Sequence, residues 1–488
     1  MNRRDFLRNA LAGAASLSIP SAFAAAQEHK PTNIVFILAD DLGWRDLGCF
    51  GSSFYETPNL DRLASEGMRF TNAYAACPVC SPTRASIMAG KYPARMKTTD
   101  YFGAPQPEAA MTHKRFANMP LLPAPYLNRL PLEEITIAEA LKNAGYSTFF
   151  AGKWHLGGEG YYPEEQGFDI NKGGYQGGGL VSYFSPYKNP KLEDGPVGEH
   201  LPARLAAESV KFLKQNGNRP FLLYLSFHSV HIPLQGRKDL VEKYVRKNQG
   251  IKHDGPLTLP EGKSETRQVQ DHAVYAAMVE AMDSAIGDVL KALDGLGLAG
   301  NTAVFFMSDN GGLSTAEGSP TSNIPLRAGK GWLYEGGIRE PMIVRWPDVA
   351  KPGTVCDSSV ISTDFYPTVL DIAGLSQMPQ QHMDGISFAP LLKGGKIPDR
   401  GPIFWHYPHY GNQGGAPGGA VRDGDWKLIE WYEDGRLELF NLRSDVGEKE
   451  NLASRMPDKA QEMRQKLRVW RENVGAVMPT PNPNAARK

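Results

Sequence analysis

Several short apolar runs in this chain stop abruptly at charged or imidazole side chains, and that punctuation constrains the fold more than any other feature. Ile34 to Leu38 runs into Asp40-Asp41, Ser147 to Phe150 into Lys153-Trp154-His155, Phe221 to Phe227 into His228 and His231, and Thr302 to Met307 into Asp309-Asn310. Runs of this length and composition read as buried strands. Between them lie helical periodicities, the longest from His272 to Leu293, with Val274, Met278, Ala281, Ala285, Val289 and Leu293 on one face. Strands alternating with helices predict an α/β fold. In such folds ligands sit beyond the carboxyl ends of the strands, so these polar groups are expected to converge. A single strand-end charge is more often a helix cap or a solvated loop residue; four sets in one chain argue for a site.

The texture changes past residue 395. Asp423-Gly424 and Asp434-Gly435 are hairpin-turn signals flanking Trp426 to Trp431 and Leu437 to Phe440, and an amphipathic helix follows over Pro457 to Val474. We read residues 30–394 as a catalytic domain and 395–488 as a C-terminal subdomain, a small antiparallel sheet with a helix packed on it. The 488 residues suffice for one large core and one small one. Tyr101 to Pro131, rich in proline and without periodicity, predicts a long loop over the site, and the tail after Val477 is expected to fray.

Lysine plus arginine equals aspartate plus glutamate, at 53 each, so no net field steers the protein to nucleic acid or an anionic membrane. At the start, Arg3-Arg4 precede a mild apolar stretch from Ala10 to Ile19, and Ala22-Phe23-Ala24 offers a cleavage point. This resembles a twin-arginine signal peptide over residues 1–26, implying the twin-arginine export machinery as a partner and a periplasmic or secreted destination. A membrane anchor is the alternative, but the stretch falls short of the roughly 20 residues that span a bilayer. No other segment is long and apolar enough for a stable membrane span. Four cysteines, Cys49, Cys77, Cys80 and Cys356, are too few for a disulfide scaffold.

The Cys77-Pro78-Val79-Cys80 spacing is that of a redox pair. Against that reading, no long redox-type helix is expected after it, and Pro82 and Arg84 have no redox role. Instead, Cys80-Ser81-Pro82-Thr83-Arg84, running on to Lys91-Tyr92-Pro93, resembles the cysteine-x-proline-x-arginine signature of the type I, formylglycine-dependent sulfatases of the alkaline phosphatase superfamily. Thr83 departs mildly from the serine or alanine common there. Gly152-Lys153-Trp154-His155-Leu156-Gly157 is similar to the second signature of that family, and His231-Ile232-Pro233 and Gly329-Lys330-Gly331 match its histidine and late lysine. The resemblance runs from Asn33 to the terminal helix, with Ser362 to Thr368 and Met383-Asp384-Gly385 read as structural.

The resemblance implies a large mixed sheet flanked by helices, alkaline-phosphatase-like, with the smaller C-terminal domain attached. It implies that a formylglycine-generating enzyme oxidises Cys80 on an unfolded chain to an aldehyde whose hydrate attacks sulfur; a thiolate would be expected to leave a stable adduct. Under the twin-arginine reading this must happen before export. Asp40, Asp41, Asp309 and Asn310 offer three carboxylates and an amide oxygen, hard donors that suit Ca²⁺, or less well Mg²⁺, rather than zinc. The family favours calcium, with modified Cys80 as a further ligand. Helix capping by Asp40-Asp41 and a plain turn at Asp309-Asn310 are the alternatives. Arg84 is expected to hold the hydrate, Lys153 and His155 the sulfate, His231 with Lys330 the leaving oxygen, and Asp309 to take the attacking proton. One further histidine that many relatives place around the sulfate has no counterpart among these motifs.

For the alcohol half, Phe404-Trp405-His406-Tyr407-Pro408-His409-Tyr410 concentrates rings and imidazoles, so His406 and His409 are candidate substrate contacts, with interdomain packing as the alternative. Similar strings in bacterial polysaccharide sulfatases imply a sulfated sugar of galactose or N-acetylgalactosamine type. The rivals are a phosphonate or phosphodiester hydrolase of the same superfamily, which tends to carry histidine where Asn310 stands, and a catalytically silent binder of sulfated glycans.

Overall fold

In a computed structural model that describes residues 30–485, the strand Asn33–Ala39 is buried along its whole length and lies in the middle of a nine-stranded sheet. Its side chains alternate between two cores, as a strand period of two requires. Ile34, Phe36 and Leu38 enter the layer that holds the helices Cys80–Ala89 and Phe365–Ala373. Val35, Ile37 and Ala39 enter the opposite layer, built from Pro58–Glu66, Leu201–Asn216 and Ala273–Gly295. Burial on both faces is why this strand reads as a continuous apolar run. Phe36 stacks on Tyr224 with ring centres 4.9 Å apart and meets Phe365 edge-on at 4.9 Å, contacts worth about 0.5–1.5 kcal/mol each beyond area burial.

Across the sheet the order is Thr354–Cys356, Met68–Tyr74, Arg339–Arg345, Thr302–Ser308, Asn33–Ala39, Phe221–Ser226, Ser147–Gly152 and Ile170–Lys172, with Val360–Ile361 also paired to Met68–Tyr74. Arg339–Arg345 runs antiparallel to both of its neighbours and the other pairings are parallel, so the sheet is mixed. The four strands expected from the sequence are its central, parallel members.

The chain from Thr32 onward forms one compact unit. Within it Ile403–Tyr407, Gly418–Asp423, Trp426–Trp431 and Leu437–Asn441 make a second, antiparallel sheet, and the helix Pro457–Val474 packs on it through Met463, Leu467 and Trp470. Its core is shared with Tyr74, Cys77 and Val79 and with Trp332 to Tyr334. Lys427, fully buried, lies between two buried carboxylates, Glu335 at 2.9 Å and Glu448 at 2.8 Å. Asp384, in one of the late strings, receives both Nε and Nη2 of Arg95, at 2.8 and 2.6 Å.

The tail does not fray up to Asn484. Thr480–Pro481 pairs with Leu121–Leu122, and the Asn482 side chain donates to the carbonyls of Ala117 and Met119. The same pairing, with the short helix Pro107–Ala110, gives order to the segment expected to be a plain loop. No helix among the described residues is long and apolar enough to cross a membrane. The stretch read as a signal peptide lies outside the described residues.

Candidate active site

The registers of the central strands set the site. Ala39 lies opposite Ser308, and Ser226 opposite both Leu38 and Gly152, so four parallel strands end at one edge. The next residues of each are therefore side by side: Asp40-Asp41, Asp309-Asn310, Lys153 to His155, and Phe227 to His231. Gly152 has φ of 105°, and a Cβ there would approach the Ser226 carbonyl oxygen to 1.8 Å, so the turn that delivers Lys153 admits only glycine. Asp41 and His155 hold left-handed backbone, at φ of 62° and 56°. Such conformations cost about 1–3 kcal/mol each and concentrate at functional sites.

Cys80 is the first residue of the helix Cys80–Ala89, all ten residues of which are buried. The helix that follows the cysteine pair is ten residues long and leaves Cys77 outside it. Cys77 and Cys80 are both free thiols, and Cys77 is buried in the core with Ala76 and Val79. Arg84, one turn along, donates from Nε to Asp309 at 2.7 Å and from Nη1 to Ser226 Oγ at 2.7 Å and to the Lys153 carbonyl at 2.9 Å. It braces the carboxylates from behind.

Asp40, Asp41 and Asp309 each bring a carboxylate oxygen within 4.8 Å of the others. Lys153 Nζ donates to Asp40 at 2.6 Å, Lys330 Nζ lies 2.7 Å from Asp41, and Asn310 Nδ2 donates to Asp41 at 2.8 Å. Burial pushes the Asp40 carboxyl up and takes Asp309 to about 6, partly opposed by Lys153 and Arg84 respectively. For Asp41 the burial effect is outweighed by Lys330, with His231 and Lys153, which hold it well below the usual carboxylate range. Asp40 Oδ1 and Asn310 Oδ1 are buried without a hydrogen-bond partner. Two unpaired acceptors beside three clustered carboxylates are the donor set of a hard divalent cation.

Above this cluster opens a cavity of about 340 Å³, with Cys80, His155, His231 and Lys330 in its wall. His155 Nε2–H donates to the Phe102 carbonyl at 2.8 Å, which leaves Nδ1 as the lone-pair nitrogen, 3.4 Å from Cys80 Sγ. His231 Nδ1–H likewise donates to the Ile232 carbonyl at 2.7 Å, leaving Nε2 to face Asp41 at 3.8 Å. Burial, then the Lys330 charge, takes His231 down to about 4, while Asp41 foremost raises Lys330. Both imidazoles are neutral at neutral pH, and the proton near the cavity wall rests on the lysine. Burial also raises the Cys80 thiol, against the pull of Lys153 and Lys330.

Nearly every sequence-derived site residue is thus within one assembly, and the family models match accordingly. The sulfatase model covers residues 32–375. This chain belongs to the sulfatase family. It is a sulfuric ester hydrolase. A second model, for the C-terminal region of N-sulphoglucosamine sulphohydrolase, matches residues 328–473 of this sulfatase. A sulfatase of Formosa agariphila is 34% identical over 93% of this chain and 92% of its own, and the N-acetylgalactosamine-6-sulfatase of Canis lupus familiaris 31% identical over 89% and 78%. The crystal structure of Ps i-CgsB is similar with a TM-score of 0.74 at 28% identity, covering 93% of this chain and 95% of that one. The same protein has been solved with k-i-k-neocarrahexaose, and compares at a TM-score of 0.73 and 28% identity over 94% and 95%.

Two residues are not brought to the cavity. His406 is buried in the second sheet, its ring nitrogens 2.8 Å from the Tyr432 hydroxyl and 2.9 Å from the Val477 carbonyl. His409 is 1% exposed and lies against Thr99 Oγ1 at 2.9 Å and Asp100 at 3.4 Å. His406 bonds within the C-terminal region and His409 packs against the segment Thr99 to Tyr126, in line with the packing alternative raised for this string. Conversely, the sulfatase lines its cavity with Tyr101 and Phe102, from the segment expected to lie over the site, and with Gly178, Gly179, Glu317 and Gln413, none of which was singled out from sequence. Their signal was weak because they lie on irregular loops. Among the described residues His155 and His231 are the only histidines in the lining, and a Cβ on Gly178 would come within 2.3 Å of the His155 ring.

Proposed function

We propose that this sulfatase hydrolyses sulfate esters of carbohydrates, of galactose or N-acetylgalactosamine type, with a formylglycine derived from Cys80 as nucleophile and Ca²⁺ as the metal. The observation that carries the chemistry is the placement of residue 80 at a helix start, against the lone-pair nitrogen of His155 and beside the acidic cluster. A buried thiol whose pKa is raised is a poor thiolate, which favours the modified residue as the attacking group. In that form the side chain would carry hydroxyls in place of sulfur.

Asp40, Asp41, Asp309 and Asn310 would hold the calcium, which when bound would neutralise sulfate oxygens and acidify a neighbouring hydroxyl. Charge balance supports this. The three carboxylates are matched by three fixed cations, Arg84, Lys153 and Lys330, so the cluster is neutral alone and gains a positive excess suited to sulfate only with a divalent ion.

The roles of this chain's residues follow from their atoms. Asp309, in the acidic cluster beside residue 80, is the carboxylate assigned to take the proton of the attacking hydroxyl. Lys330 carries the resting proton and His231 Nε2 is the exchangeable nitrogen beside it, so the pair would protonate the departing alcohol. His155 Nδ1 would then remove the proton of the second hydroxyl, so that sulfate leaves and the aldehyde returns. Lys153 supplies the charge for sulfate oxygens, His155, whose Nε2–H is committed to the Phe102 carbonyl, acts as the base and not as a donor to sulfate, and Arg84 fixes Asp309.

The sugar preference draws on the relatives named above and on a cavity large enough for a sugar ring. We further infer export by the twin-arginine route to the periplasm or beyond, after maturation by a formylglycine-generating enzyme in the cytoplasm. The test is expression with that maturation enzyme, followed by peptide mass analysis over Cys80 and assay on a panel of sulfated galactose and N-acetylgalactosamine saccharides in calcium. An aldehyde at position 80 with desulfation of a sugar is expected; a fully unmodified thiol in an active enzyme would overturn the nucleophile.

A further inference from the structure

The cavity wall carries Glu317, Asn412 and Gln413 together with Cys80, His155, His231 and Lys330. Glu317 and Gln413 come from two loops that are tied together. Gln413 Nε2 donates to Glu317 Oε1 at 2.8 Å, and the Gln413 carbonyl accepts from Thr315 Oγ1 and from Trp332 Nε1, both at 2.9 Å. Arg115 donates to Asn412 Oδ1 at 2.9 Å and to the Gly411 carbonyl at 3.0 Å, holding the far side of the same loop. Glu317 itself has φ of 55°, a left-handed backbone that a glutamate rarely adopts.

Glu317 brings its carboxylate to the cavity wall. Gln413 is 3% exposed, its Oε1 is buried against Gly331, and it serves to hold Glu317. Among the described residues the second oxygen of Glu317 receives no hydrogen bond, which leaves it for a ligand. Among the described residues Lys330 is the one lysine or arginine in the cavity wall, and it is already bound to Asp41 at 2.7 Å.

We propose that Glu317, oriented by Gln413, reads the alcohol half of the substrate, and that it selects an uncharged sugar over a uronate. Resting on the reading of the site as a sugar sulfatase, this names the residues that choose the sugar. Hydroxyl and N-acetyl N–H groups of a hexose or N-acetylhexosamine donate to the Glu317 carboxylate. A uronate brings a second carboxylate next to Glu317 and finds no free cation in the wall to pair with it. Selection by a site whose acceptors go unpaired with the wrong ligand is steep, whereas selection by apolar fit is shallow.

The experiment compares kcat/KM for nitrophenyl sulfate, 6-sulfated N-acetylgalactosamine and a 2-sulfated uronate disaccharide in the matured wild type, in Glu317→Gln and in Gln413→Ala. The wild type is expected to prefer the uncharged sugar over the uronate by about a hundredfold or more. Glu317→Gln is expected to lose at least about tenfold more on the sugar than on the aryl ester, chiefly in KM, and to narrow the sugar-to-uronate ratio. Gln413→Ala should do the same more weakly. Equal losses on all three substrates, or a wild type that cleaves the uronate as well as the sugar, would overturn the assignment of Glu317. A wild type active on the aryl ester but on no sugar would instead sink the sugar reading, and this proposal with it.

Discussion

The Nδ1 of His155 and the sulfur of Cys80 lie 3.4 Å apart, and the Phe102 carbonyl on the other side of the ring decides which nitrogen carries the proton. That relay aims a base at residue 80. If His155 serves sulfate release, its replacement by alanine should lower steady-state turnover by about 10²–10⁴-fold. The same variant should release a rapid burst of nitrophenol, close to one equivalent, before the slow phase. Stopped-flow absorbance reads both, and slow turnover without a burst would assign His155 to an earlier step.

Cys80→Ala is expected to abolish turnover. The side chain removed is small and sits at a cavity wall, so the melting temperature should move little. Circular dichroism beside the assay separates the two effects.

Calcium should stabilise the protein as well as activate it. A ligand bound only by the native state adds about 2.7 kcal/mol at a hundred times its dissociation constant. Chelation should therefore lower the melting temperature and activity together, and calcium should restore both. In a variant with Asp40→Asn and Asp309→Asn the calcium-dependent shift should vanish in a thermal-shift titration.

Replacing Lys427 by methionine would leave Glu335 and Glu448 buried without their shared partner. Breaking a buried ion pair from one side costs about 3–5 kcal/mol. Denaturant unfolding should show a loss of that order, while the residual native fraction keeps an unaltered KM because the lysine is not in the cavity wall.

Asp100 gives a pH signature. Burial pushes its carboxyl up to about 8, against the Tyr101 N–H and the Tyr407 hydroxyl. The folded state therefore keeps a proton that the unfolded chain releases near 4, so stability is fullest below about 4 and declines as pH rises towards 8. Asp100→Asn removes that penalty. Its gain in melting temperature over wild type should grow between pH 5 and pH 8, and a constant or shrinking gain would contradict the sign.

How much of this was legible beforehand depended on regularity. Asn33–Ala39 and Thr302–Ser308 announced themselves because strands buried on both faces need unbroken apolar runs, and their ends carry the acidic cluster directly. Met68–Tyr74, with three of its seven residues only partly buried, alternates too loosely to stand out, and Arg339–Arg345 carries charged ends. Glu317 and Gln413 were invisible because loops have no period. His406 and His409 show the opposite difficulty: aromatic and imidazole side chains that pack an interior look, in sequence, the same as those that grip a sugar.

The helix that begins at Cys80 is buried end to end, and Cys80 itself is 3% exposed. If a maturation enzyme must grip the segment from Cys80 to Arg84, folding closes the door on it. Activation is then a race between two rates, oxidation of the nascent segment and collapse of the core around it. A chain that loses the race is stable, correctly shaped and permanently inert, so the specific activity of a preparation would measure the outcome of that race in the producing cell as much as any property of the enzyme.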